Sequence, residues 1–445
     1  MSVELIRLLI GLVVSISLLV VLNRFYKLHA FFCLLIAAII LGFITGVPFA
    51  RILQAMQSGF GSLLGQIGFV VALGSCLGVM LEKTGAMHVI AQKILHVFGE
   101  RKSLMAMSSL GLLVGIPVFC DSGFIILSRL IPTIAIQSGV PASSLALALS
   151  SGLYTTHSLV PPTPGPLAAA VNLGLSGNMG TVILVGILGS LPVGLTGYVM
   201  ARRLGPTFRV EVKKSYEVAS HHAVIRPWKA FLPLIAPILL ITVATFPKIL
   251  ALNGTAAHIF EIIGQPFVAL AIGLLLAIPL LRKADNTWPE WISTALMDAG
   301  VILLITGAGG AFGSVIRESG LEGILKGIFS DYSVSGVLFI CLGFLIAALL
   351  KTAQGSTTSA MIITTSLVAP LLNAAGFQHP VHLSALVLAV GSGGMCVSHA
   401  NDSYFWVVSQ FGGITPNDAL KNFTRITFFQ GITGLIAAII LFVIW

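Results

Sequence analysis

Thr155-Thr156-His157-Ser158-Leu159-Val160-Pro161-Pro162-Thr163-Pro164-Gly165-Pro166 interrupts an apolar run, about 142–172, that would otherwise read as one long helix. Four prolines in six residues remove backbone donors and clash with the preceding turn, so a regular helix must stop and restart here. A second run, about 380–411, is broken in the same way by Gly391-Ser392-Gly393-Gly394 and Ser398-His399-Ala400-Asn401-Asp402-Ser403. The two breaks close two copies of one pattern, Leu73 to Pro166 and Ala308 to Trp406, roughly 240 residues apart. Gly74 and Gly78 correspond to Gly309 and Gly313, and Thr84-Gly85 to Ser319-Gly320. Cys120-Asp121-Ser122 corresponds to Gly355-Ser356-Thr357, Gly152 to Gly394, and His157 to His399. Two halves that each carry broken, polar segments into an apolar chain point to the solute site of a secondary transporter.

Aliphatic, aromatic and Cys residues make up 56% of the chain and charged residues 9%, against about 25% charge in soluble proteins. So little charge cannot cover a 445-residue chain with a polar surface, so its solvent is lipid. Runs of about 20 apolar residues span a bilayer as helices. They occur at about 5–22, 28–50, 61–81, 142–172, 181–201, 231–247, 262–281, 299–316, 380–411 and 427–445. Two further stretches, about 103–137 and 333–373, are interrupted near their middles and read as re-entrant hairpins whose arms are short for a full crossing. With the N-terminus outside, the inside segments 23–27, 82–102, 202–229, 282–298 and 412–426 hold 2, 4, 7, 2 and 2 basic residues, 17 of the 24 Lys and Arg. Arg51, Lys248, Arg317 and Lys326 stay outside. Basic residues are retained on the cytoplasmic side, so the +9 net charge is a topology signal and implies no nucleic-acid partner. Both termini are therefore expected outside, and the basic central loop in the cytoplasm. Segment 5–22 lacks a small-residue cleavage site and reads as a first span rather than a leader.

The expected fold is an all-α polytopic membrane protein of two inverted-topology repeats, each with a re-entrant hairpin and a discontinuous helix. The first repeat covers 1–201, a basic linker 202–230, and the second repeat 231–445. The five Cys have no CxxC spacing and lie in apolar runs, so no disulfide, metal site or cofactor is expected. Gly307-Ala308-Gly309-Gly310-Ala311-Phe312-Gly313 lies within a span and reads as a close-packing surface.

Four polar segments carry the candidate site. Around the first hairpin tip, Pro117 ends a helix, and Asp121-Ser122-Gly123 has the chemistry of a turn followed by a helix start. Asp121 is costly in lipid and is a functional candidate by default, with capping as its plainer role. The first broken helix contributes Thr156, His157, Pro161, Pro162, Thr163 and Gly165. Amides freed at a half-helix N-terminus suit an anion, and unwound carbonyls suit a cation. The second hairpin tip contributes Gln354, Gly355, Ser356, Thr357 and Thr358, an uncharged donor surface fit for a carboxylate bearing several hydroxyls. Lys351 beside it neutralises a carboxylate, pairs with an acidic side chain or snorkels, with a structural role preferred. The second broken helix contributes His399, Asn401, Asp402 and Ser403. Asp121, Asp402, His157 and His399 are the proton-coupling candidates, Asp402 foremost with Asp121. Its plainer role is to cap the second half-helix.

The motifs His157…Pro161-Pro162-Thr163-Pro164-Gly165-Pro166, Gln354-Gly355-Ser356-Thr357-Thr358 and Ser398-His399-Ala400-Asn401-Asp402-Ser403-Tyr404-Phe405-Trp406 resemble the gluconate permease (Gnt-type) family of bacterial inner-membrane proton symporters. The resemblance extends over the whole chain, including the central basic loop. It implies uptake of a small hydroxylated carboxylate with protons: gluconate and related sugar acids in known members, D-serine in one branch. Through the broader ion-transporter superfamily it implies a homodimer working by an elevator motion, a fold-level analogy. Thr163 stands where many members have His, Tyr404 where Gly is usual, and Lys351 where Arg is usual.

The function expected is proton symport of a gluconate-like sugar acid or related hydroxy acid. Ser356, Thr357, Asn401 and backbone oxygens also suit a sodium ion, so sodium-coupled uptake of a small organic acid or D-serine is the alternative. A channel would need a continuous polar lining, whereas these residues cluster in four short segments. With no HExxH, nucleophile elbow or Walker sequence, an enzyme or an ATP-driven pump is not expected.

Overall fold

The structure is a computed structural model and describes residues 3–99, 102–128, 130–208, 210, 225–244, 255–281, 288–320, 336–372, 377–399 and 402–445. All regular structure among them is helical. The first half comprises α1 (Val3–Arg24), α2 (Ala30–Ile44), α3 (Phe49–Lys83), α4 (Ala86–Phe98), α5 (Ser103–Val114), α6 (Cys120–Ser128), α7 (Ile131–Ser138), α8 (Ala142–Leu159), α9 (Pro164–Asn172) and α10 (Met179–Leu204). The second comprises α11 (Pro227–Val243), α12 (Thr255–Ile263), α13 (Pro266–Leu281), α14 (Trp288–Glu318), α15 (Gly336–Gln354), α16 (Thr357–Val368), α17 (Pro380–Met395), α18 (Ser403–Phe411) and α19 (Pro416–Ile444). The greater part of the basic linker, 211–224, lies outside the described residues.

Among the described residues, α3, α10 with its flanking turns, α14, α15 and α19 are long and apolar enough to cross a membrane by length and composition. Several bounds differ from the sequence expectation. The runs 61–81 and 299–316 are the inner parts of much longer helices, α3 and α14, because their polar flanks Phe49–Gly59 and Trp288–Asp298 keep helical character. The run 28–50 is split between α2, which ends at Ile44 before Gly46 turns the chain at φ +80°, and the first residues of α3. At 19 residues α15 reaches about 28 Å, so this hairpin arm is not short, whereas α5, with 12 residues, is.

Glycine contacts fix the helix directions. A methyl on Gly111 would lie 2.6 Å from the Leu149 carbonyl, and one on Gly115 2.5 Å from that of Leu153. Contacts advance together along α5 and α8, so the two run parallel. In the second half Gly343 faces Leu386 and Val390 while Gly393 faces Phe344 and Ala347, so α15 and α17 are also parallel. Each hairpin therefore returns to the side it entered before the broken helix begins. Ser143 Oγ donates to the Gly205 carbonyl at 2.5 Å, placing the start of α8 at the linker end of α10.

The long helices cross antiparallel. Gly59 and Gly310 meet so closely that a methyl on either would sit within 2.5 Å of the other's carbonyl oxygen, and Gly307 lies under Phe60. Close approach of this kind is what small residues permit between membrane helices. Gly85 and Gly320, corresponding positions in the two halves, close α3 and α14 with φ of +78° each, a left-handed geometry that favours glycine. The apolar core forms one large cluster through the hairpins and broken helices and a smaller one joining α1, α2, the start of α3, α14, α15 and α16.

Candidate functional site

Four half-helices, α6, α9, α16 and α18, begin at the two hairpin tips and the two breaks. Thr163 closes the first break: it is buried, and its hydroxyl donates to the Val160 carbonyl at 2.6 Å. A methyl on Gly165, in the first turn of α9, would touch Met361 and approach Thr358 of α16, so the first break lies against the second hairpin tip. At that tip Gly355 adopts φ +84°, and Ser356 caps α16 by accepting from the Ser359 amide at 3.2 Å. At the second break the backbone groups of Ser398 are satisfied by α19. The Ser398 amide donates to Thr427 Oγ1 at 3.0 Å and Thr424 Oγ1 donates to the Ser398 carbonyl at 2.6 Å. Freed backbone groups at membrane depth persist only with such partners or a wet cavity.

Asp402 ties these segments together. Its Oδ1 accepts from the Tyr404 amide at 3.1 Å and so caps α18. Its Oδ2 accepts from Lys351 Nζ at 2.6 Å, Ser398 Oγ at 2.5 Å and Tyr154 OH at 3.2 Å. Lys351 also donates to the Gly355 carbonyl at 2.6 Å, and Tyr154 shares a 2.7 Å hydrogen bond with Thr357. Lys351 is 0% exposed, Tyr154 1% and Asp402 4%. The structural role preferred for Lys351 takes the form of an ion pair, and the capping role of Asp402 coexists with that pairing.

Asp121 sits in the first turn of α6, close enough to Asp402 and Lys351 for their charges to interact. Its Oδ1 is buried without a hydrogen-bond partner among the described residues. Thr156 Oγ1 and His157 Nδ1 are likewise buried and unpartnered. His157 lies against the Phe119 ring, centroids 6.0 Å apart, beside the first hairpin tip. His399 Nε2 instead lies 3.2 Å from the Thr352 carbonyl in the second hairpin. Each histidine thus serves the hairpin of its own half. Gly123 packs against Leu153, Ser122 is partly buried, and Ser403 is exposed at the start of α18. Pro161 and Pro162 form the buried elbow of the first break. Asn401 and the Gln354 side chain lie outside the described residues.

Tyr154, Ser398 and Gln430 were not singled out as site residues from the sequence. Gln430 Nε2 lies within hydrogen-bonding distance of Thr155 Oγ1 (2.8 Å), the Val193 carbonyl (3.2 Å) and the Ser151 carbonyl (3.3 Å), joining α8, α10 and α19. The available signals were an amide alone in the apolar run 427–445 and a tyrosine adjoining Thr155-Thr156-His157.

The family model of the GntP family permeases matches residues 7–444. The chain belongs to that family. This permease is 32% identical to the gluconate permease of Pseudomonas aeruginosa, the match covering 99% of the chain and 98% of the relative. It is 29% identical to the Gnt-II system L-idonate transporter of Escherichia coli K12, over 97% and 98% of the two chains. Its fold is similar to that of the YdaH transporter of Alcanivorax borkumensis, with a TM-score of 0.60 at 16% identity, covering 86% and 87% of the chains. The chain is therefore a multi-pass membrane permease and not an enzyme, with two inverted repeats each built on a hairpin and a discontinuous helix.

Proposed function

We propose that this permease takes up a small hydroxylated carboxylate, a gluconate-like sugar acid or related hydroxy acid, together with a proton. The observation that carries the reading is the pairing of Lys351 with Asp402 beside an Asp121 oxygen that has no partner among the described residues. Lys351 and Asp402 cancel, so an ionised Asp121 leaves the junction with a net negative charge that opposes an anion. In a low-dielectric site that opposition is large. Protonating Asp121 removes it, so anion and proton enter as a unit, and neither enters freely alone. Thr156, His157, Gly165, Ser356, Thr357, Thr358, His399, Asn401 and Ser403 supply hydroxyls, ring nitrogens and backbone groups for the solute. Relatives named for gluconate and L-idonate support a sugar acid.

The protein works in the bacterial inner membrane with both termini outside and the central loop in the cytoplasm, the orientation that places 17 basic residues inside. It functions as a homodimer in which the hairpins and broken helices slide, elevator fashion, past α3 and α14. In reconstituted vesicles, labelled gluconate should accumulate under an inward acid gradient, and collapse of the gradient should abolish accumulation. Uptake that ignores the gradient but stops when potassium replaces sodium would overturn proton coupling.

A further inference from the structure

Arg317 stands in the last turn of α14, on the side of the molecule opposite the linker, and takes no part in the junction described above. Beside it a cavity of about 230 Å³ opens between α3, α14, the end of α9 and the end of α16. Ser58, Ser62 and Gln66 recur every four residues on α3 and form one wall, Ser314 and Arg317 form the other, and Asn172 lies at the α9 end. A polar face on a membrane helix is costly unless it is satisfied or wet, and these side chains satisfy one another only in part. Arg317 Nη2 donates to Ser314 Oγ at 2.7 Å and Gln66 Nε2 to Ser62 Oγ at 3.3 Å. Asn172 Nδ2 is directed to Thr365 Oγ1 and Ser366 Oγ, at 3.0 and 3.3 Å.

Among the described residues no carboxylate lines this cavity, and none lies within ion-pairing distance of Arg317. The carboxylate of Glu261 belongs to an adjoining cavity of about 480 Å³ and faces His258 at 3.6 Å. A guanidinium carries five donors in a fork that matches a carboxylate, and Ser314 occupies one of them. The volume is below the ~300 Å³ at which drug-sized pockets begin, which suits a small acid.

We propose that this cavity is a second, outer binding site for a small carboxylate, with Arg317 as its charged contact, and that it collects the anion before the central junction receives it. The proposal rests on the reading of the solute as an organic anion arriving from that side. Two measurements separate the two claims. In vesicles, Arg317→Gln raises the KM for gluconate about tenfold with less than a twofold fall in Vmax, and Arg317→Lys recovers most of the loss. An unchanged KM, or a fall in Vmax alone, overturns the outer site while leaving gluconate transport by the unaltered protein intact. The second needs no transport. Ser62→Cys, added to five unpaired native cysteines, is modified from outside by an anionic sulfonatoethyl thiosulfonate, with protein retaining Ser62 as the blank. The additional Arg317→Gln change slows that reaction at least threefold and does not slow the cationic trimethylammonium reagent. Equal slowing of both reagents, or no modification of Ser62→Cys, overturns the proposal whether or not gluconate is the solute.

Discussion

Lys351 and Asp402 meet at 2.6 Å with almost no solvent exposure, and Asp402 keeps Ser398, Tyr154 and the Tyr404 amide as further donors. Taking two charges out of water is costly, and four donors to the Asp402 carboxylate, with the Gly355 carbonyl accepting from Lys351, offset that cost. Removing one partner strands the other. Asp402→Asn should therefore lower stability by about 3 kcal/mol, in the range seen for broken buried pairs, and abolish accumulation. Lys351→Met combined with Asp402→Asn should regain much of the lost stability without regaining transport. Melting temperatures of the purified variants check this. A single variant as stable as the parent, or one that accumulates solute undiminished, would contradict the role given to the pair.

Of the half-helices, α9 and α16 pack on the long helices, α16 through Gly309 and Gly313 of α14, which is where a sliding motion would have to occur. A methyl on Gly313 of α14 would lie 3.2 Å from Ser366 Cβ of α16, close to the ~3.8 Å Cβ separation of a disulfide. Gly313→Cys with Ser366→Cys should cross-link on oxidation and stop transport, and reductant should restore it. Transport by fully cross-linked protein would exclude movement of α16 along α14. The breaks at 160–163 and 396–402 were legible in the sequence, because prolines and clustered polar residues in apolar runs leave few alternatives. The lengths of α3 and α14 were not, because their polar ends look like loops to a hydropathy reading although they continue as helix. Tyr154 escaped for another reason: its value comes from α16 and α18, more than 200 residues away in the chain, and no local pattern encodes that meeting.

The molecule as a whole sets two inverted halves around one junction, so the first hairpin tip and the second break arrive there from opposite sides of the membrane. In that arrangement Lys351 and Asp402 are a neutral pair, and among the described residues Asp121 is the carboxyl at the junction whose Oδ1 lacks a donor. The inference that Asp121 carries the coupling proton is the centre of the account. Counterflow, the exchange of internal unlabelled for external labelled gluconate, requires solute passage but no net proton movement. Uphill accumulation under an inward acid gradient requires both. Measured in the same reconstituted vesicles, Asp121→Asn should retain counterflow and lose gradient-driven accumulation, whereas the unaltered protein should do both. Accumulation by Asp121→Asn that still follows the acid gradient would contradict the account.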